Sequence, residues 1–219
     1  APQHLVIDGD FDNYGTFAAE RGEVVADATT ADISSARLQY SVTPSGSYSG
    51  DVTKNGTKLY KPDYGDGIIY EHDLLVPWDI STASLVQSSN TPQVNMRAVH
   101  ISPDGRYAYA TLFAQEVVQY EMTTPWDIST LTFMASTVPQ FASNVFETKL
   151  SPDGSYLYVN SNGDSQVKRY VLSTPWDLST IGNIDQSMSA TAAVGFDWSQ
   201  DGTKIAIENF DDEILSLYT

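Results

Sequence analysis

The sequence predicts an all-β fold, a β-propeller of about five four-stranded blades, and three observations carry that prediction. Two short motifs recur with a period of about 49 residues, close to the ~40–50 residues of a propeller blade. Each recurrence is followed by a short run of alternating or β-branched residues, the mark of a strand. Helical periodicity is absent along the chain, and a β-sandwich would not repeat by sequence.

The first motif, Ser-Pro-Asp-Gly, stands at Ser102–Gly105 and Ser151–Gly154, with looser forms at Thr53-Lys54-Asn55-Gly56 and Ser199-Gln200-Asp201-Gly202. Asp or Asn followed by Gly supplies the positive φ of a tight hairpin. The strands that follow are Leu59-Tyr60, Tyr107 to Ala110, Tyr156 to Val159 and Ile205 to Ile207. The second motif, Pro-Trp-Asp-Ile/Leu-Ser-Thr, stands at Pro77–Thr82, Pro125–Thr130 and Pro175–Thr180. It comes just after the third strand of its unit and introduces a fourth.

The N-terminal segment aligns as a degenerate first repeat, with Glu23-Val24-Val25 against Glu116-Val117-Val118. The whole chain, 1–219, thus reads as a single propeller domain with units at about 1–48, 49–97, 98–146, 147–195 and 196–219. The last unit lacks its outer strand. That leaves a sheet edge, which another chain or the acidic run Asp211-Asp212-Glu213 would protect.

Composition narrows the function. With 28 Asp and Glu against 11 Lys and Arg, the formal charge is −17, so a nucleic-acid backbone would be repelled. No run approaches the ~20 apolar residues of a membrane span, so no membrane insertion is expected. With no cysteine, disulfide and thiolate chemistry is excluded. The acidity also suits a salty medium, where screening softens self-repulsion.

At the two motifs the chain resembles the YVTN and lactonase-like propeller repeats, whose units run from Ser-Pro-Asp-Gly through a Tyr/Val strand to Leu-Ser-Thr. More narrowly, the Thr-Pro-Trp-Asp-Ile/Leu-Ser-Thr element is similar to repeats in propeller proteins of aquatic bacteria and phages. That resemblance implies a virion or secreted-surface role. The motif specifies a fold far more than an activity.

Three groups of residues are candidates for chemistry. Trp78, Trp126 and Trp176 recur once per blade and could stack on sugars as a multivalent lectin does, or simply brace the loop beside Asp79, Asp127 and Asp177. Asp8, Asp10 and Asp12 alternate within Asp-Gly-Asp-Phe-Asp-Asn, a spacing that suits Ca2+ but also an ordinary acidic hairpin. The residue before the last of each innermost strand is Val6, Asp51, His100, Lys149 or Asp197. Around a channel, Asp51, His100 and Asp197 could ligate a metal or act as acid and base, or line a hydrated mouth with Lys149 paired to a carboxylate.

Phosphate-binding loops, nucleophile elbows and His-x-x-x-His pairs are missing. The leading expectation is therefore a non-enzymatic structural or adhesion propeller, extracellular or on a virion surface. It would engage a protein or glycan, or copies of itself through the blunted last blade. The alternatives are a lactonase-like hydrolytic propeller with a channel metal, and a multivalent lectin.

Overall fold

Each Ser-Pro-Asp-Gly hairpin closes on the same short bonds. At the second copy Gly105 N–H donates to Ser102 O at 2.8 Å, and Tyr107 N–H to Ser102 Oγ at 2.9 Å. Asp104 Oδ1 accepts from Ser102 Oγ at 2.7 Å and from the Arg106 amide at 3.0 Å. Ser151 and Asp153 repeat the set, and Thr53 and Asn55 reproduce it from different residue types. A hydroxyl and a short side-chain oxygen two residues apart are all the turn requires.

In the computed structural model these hairpins belong to four antiparallel sheets. The described residues are 49–90, 95–113, 115–137, 144–191, 193–198, 204–209 and 214–218. The first sheet holds β1 (Asp51–Val52), β2 (Lys58–Pro62), β3 (Ile68–Leu74) and β4 (Ala83–Asn90). The second holds β5 (Met96–Ile101), β6 (Tyr107–Leu112), β7 (Val117–Met122) and β8 (Leu131–Thr137). The third holds β9 (Val145–Leu150), β10 (Tyr156–Ser161), β11 (Gln166–Leu172) and β12 (Ile181–Ser189). The fourth has three described strands, β13 (Ala193–Trp198), β14 (Ile205–Asn209) and β15 (Ile214–Tyr218). Strand order follows chain order in every sheet, as propeller blades require.

The fold is the all-β propeller that the repeat predicts. The expected first unit, 1–48, lies outside the described residues, as does the acidic run 211–213. Unit limits drawn at 97/98, 146/147 and 195/196 fall inside β5, β9 and β13, because the motifs fix the period of a repeat and not its phase.

Apolar packing lies between sheets. One core cluster joins Tyr60 and Ile69 of the first sheet to Val99, Ala110 and Val118 of the second. A second joins Tyr109 and Val117 to Leu157 and Val159. A third joins Val167 to Phe196 and Ile207. The outer strands β8 and β12 are mostly exposed, so the inner strands carry the burial that stabilises the ring segment.

Within a sheet the second motif is tied to the first. Trp78, Trp126 and Trp176 each take a left-handed backbone, φ 65°, 68° and 66°. Their amides donate to Gly56, Gly105 and Gly154 carbonyls at 2.9, 2.9 and 3.0 Å. Each indole lies where that glycine's Cβ would be: a methyl at Gly154 would come within 2.3 Å of the Trp176 ring. These glycines also have φ of 68° or 71°.

Gly154→Ala is therefore expected to lower unfolding free energy by about 2 kcal/mol or more, through clash and left-handed strain together. At Gly65 an added Cβ meets nothing nearer than 3.6 Å, so Gly65→Ala should stay within about 0.5 kcal/mol. Urea denaturation followed by tryptophan fluorescence checks both, and equal effects at the two positions would refute the account.

Candidate functional site

Two rows of side chains cross each sheet toward its successor. In the first row, Asp51, Tyr60 and Glu71 stand side by side in the first sheet, then His100, Tyr109 and Gln119, then Lys149, Tyr158 and Arg169. The inner members are the polar positions that the repeat alignment picks out. The second row is Ala98, Thr111 and Val117 in the second sheet, and Glu147, Asn160 and Val167 in the third.

The outer part of the first row is committed to holding sheets together. Tyr60 Oη donates to Trp126 O at 2.8 Å, and Tyr109 Oη to Trp176 O at 2.7 Å. Gln119 Nε2 donates to Trp176 O at 2.7 Å while its Oε1 accepts the Leu178 amide at 2.8 Å. Burial first of all pushes the Tyr60 and Tyr109 phenols above the ordinary tyrosine range, so both remain donors.

This settles where the tryptophans stand. Trp78 is 44% exposed, while Trp126 and Trp176 are partly buried against the inter-sheet cores, and a glycine lies under each ring. Asp79, Asp127 and Asp177 accept from the Ser81, Ser129 and Ser179 amides at 2.9, 3.0 and 3.0 Å, as bracing of the loop requires. Asp8, Asp10 and Asp12 lie outside the described residues.

The inner positions divide into two groups. His100 Nδ1 is 3.2 Å from Asp51 Oδ2, which also accepts the Ile101 amide at 2.6 Å. Asp197 Oδ2 instead faces Lys149 Nζ at 3.3 Å, and Lys149 is also 3.7 Å from Glu147 Oε1. Asp51 and His100 thus come together, with Asp197 on a different cation. Among the described residues no group of three or more His, Asp or Glu is placed to hold a metal.

Sequence reasoning missed Glu147. Its side chain is about 3% exposed and is gripped from outside its own sheet: Ser49 Oγ, just ahead of β1, donates to Oε1 at 2.9 Å, and the Phe196 amide of the fourth sheet to Oε2 at 2.8 Å. Burial raises its pKa above the usual carboxylate value, a push opposed by Lys149 and by these two donors. No local motif announces it. Its signal is only that an acid stands where the second repeat has Ala98.

A second missed feature is a repeated bulge. Pairing slips by one residue at the start of β5, β9 and β13, leaving Arg97, Phe146 and Val194 as the extra residues. The slip brings the Arg97 guanidinium 4.3 Å from the centres of the Phe113 and Phe146 rings, while its Nη1 donates to Val145 O at 2.7 Å. Next to Glu147, Asn160 is fully buried, and neither its Oδ1 nor its Nδ2 has a hydrogen-bond partner among the described residues. Such an orphaned group costs about 1–3 kcal/mol.

No family model and no curated protein sequence matches the chain. Solved structures do. A candidate 6-phosphogluconolactonase of Bacteroides uniformis superposes with a TM-score of 0.57 at 15% identity, over 80% of this chain and 50% of that one. A Lactobacillus plantarum protein gives 0.57 at 17% identity, over 78% and 50%. The periplasmic gluconolactonase of Pseudomonas aeruginosa gives 0.52 at 22% identity, over 78% and 50%. The chain spans half the length of each, and at these identities the likeness establishes the propeller fold. One expectation is corrected: the neighbours that carry a function are a candidate 6-phosphogluconolactonase and a gluconolactonase, which speaks against the non-enzymatic structural or adhesion reading.

Because the folded state raises the pKa of Glu147, folded protein binds that proton more tightly than unfolded protein. The contribution is fully present below the unfolded value near 4.5 and is lost as pH rises through the folded value. Glu147→Gln keeps one of the two acceptor oxygens and does not titrate, so its loss of the other is the same at every pH. The stability of the variant relative to the parent should therefore climb above pH 4.5, by at most about 1.4 kcal/mol per pH unit. Urea midpoints from pH 4.5 to 8 test this, and a flat difference would refute it.

Proposed function

We propose that this chain belongs to a hydrolytic, lactonase-like propeller that opens an uncharged sugar lactone of the gluconolactone class. The observation that carries the reading is the Glu147 carboxyl, buried at the inner strands with Lys149 Nζ 3.7 Å away. The propeller fold shared with proteins named as lactonases supports it. The charge of −17 favours an uncharged lactone over a phosphorylated one.

Lactone hydrolysis asks for two things at one place. A base must take a proton from water as its oxygen bonds to the carbonyl carbon, and a fixed positive group must meet the oxyanion that results. Glu147, with a pKa displaced upward, accepts that proton, and Lys149 faces the negative oxygen. The intermediate then collapses, the ring C–O bond breaks, and the same proton passes from Glu147 to the departing alkoxide. The product is a hydroxy acid. Ser49 and the Phe196 amide fix the carboxyl, so little reorganisation accompanies the step.

Turnover of glucono-δ-lactone, corrected for spontaneous opening, is the test. Glu147→Gln and Lys149→Met should each lower kcat by about 100-fold or more, with far-UV circular dichroism unchanged. Wild-type protein that opens neither gluconolactone nor its 6-phosphate above background, or a Glu147→Gln variant at full rate, would overturn the proposal.

A further inference from the structure

Among the described residues, Asn160 is fully buried with neither polar atom of its side-chain amide in a hydrogen bond. It stands on β10 between Glu147 on β9 and Val167 on β11, and partners across neighbouring strands project from the same face of a sheet. That face looks toward the fourth sheet: Glu147 accepts the Phe196 amide, and Val167 packs with Phe196 and Ile207.

The preceding repeat shows what normally occupies this place. Thr111, the counterpart of Asn160, shares a hydrogen bond of 2.6 Å with Thr148 of the next sheet. The counterpart of Thr148 in the fourth sheet is Phe196, whose side chain can neither donate nor accept. Among the described residues no group across this interface pairs with Asn160. Of the adjoining polar groups, Ser161 bonds to Asp164, which also binds Lys168, and the Glu147 oxygens face Ser49, Lys149 and the Phe196 amide, while the Glu208 carboxylate lies on the fourth sheet close to Glu147. A valine would fill the position without an orphan, so retaining an amide beside the buried carboxyl needs another cause.

We propose that Asn160 is a specificity-determining residue that binds the hydroxyl next to the lactone carbonyl, its Oδ1 accepting the O–H proton and its Nδ2 donating to the same oxygen or to a neighbouring ring hydroxyl. The inference rests on the lactonase-like reading and names its substrate class more narrowly: lactones hydroxylated beside the carbonyl. A site built to hydrogen-bond a hydroxyl discriminates strongly against an analogue lacking it, because the buried amide is then left unpaired.

The experiment compares glucono-δ-lactone with δ-valerolactone, which has no hydroxyls, on wild-type protein and on Asn160→Leu. Wild type should favour the hydroxylated lactone by at least about 100-fold in kcat/KM. Asn160→Leu should bring that preference within about 10-fold through loss on gluconolactone alone, while its Tm rises because an orphaned amide has gone. A raised Tm with the preference intact would overturn the inference, since the amide would then hold only a structural water. Side-chain amide NMR of Asn160 during titration with gluconate separates the two proposals. A shift without turnover of either lactone would overturn the hydrolytic reading and keep the hydroxyl site. No shift and no preference would overturn the site.

Discussion

The contact on which this molecule depends is an indole lying flat on a glycine. At Gly56, Gly105 and Gly154 the space of a Cβ is taken by the ring of Trp78, Trp126 or Trp176. That contact links the hairpin after the first strand of a sheet to the loop before its fourth, so one side chain joins both motifs of the repeat. It requires a left-handed backbone at tryptophan, a costly conformation for a bulky residue, which the surrounding hydrogen bonds must over-determine. The Asp of the same motif supplies part of that constraint through the Ser81, Ser129 and Ser179 amides.

The same loop then serves the neighbouring sheet. Its strained turn presents the tryptophan carbonyl outward, where Tyr60 or Tyr109 of the preceding sheet donates to it, and Gln119 adds two bonds at one junction. Local strain within a blade is thereby converted into register between blades. Such a junction is polar and directional where the core clusters are apolar and permissive, so the two together fix both the distance and the phase of adjacent sheets.

Most of this architecture is legible in the sequence, because a turn that needs glycine, a hydroxyl and an acid at fixed offsets leaves its signature in residue types. The polar positions Asp51, His100, Lys149 and Asp197 are legible too, as they occupy one register position in four sheets. Their partners are not. Whether a carboxylate meets His100 or Lys149 depends on side-chain reach across two sheets, and Asp197 turning to Lys149 divides a set that alignment alone would place around one point. Glu147 and Asn160 escape because they occur in a single blade, where a repeat offers nothing to compare except their absence from the others. The bulges at Arg97 and Phe146 escape because an extra residue in a strand carries no composition of its own.

The departures from the repeat are not scattered. Between the first and second sheets, and again between the second and third, a tyrosine donates to a tryptophan carbonyl; Tyr158 packs tilted against Trp198 of the fourth sheet with ring centres 4.3 Å apart. Arg169, in the place of Gln119, turns to Asp185 on its own outer strand. The threonine pair becomes Asn160 against Phe196, and Ala98 becomes Glu147. A sequence under selection for a scaffold alone has a better-satisfied version of the threonine contact to copy, since the chain contains it at the preceding junction. The junction between the third and fourth sheets carries the cost of a buried carboxyl and of an amide without a partner among the described residues. Local rules broken together at one place are what a site leaves in a scaffold, and the proposed site accounts for their falling together on the face of the third sheet that looks toward the fourth.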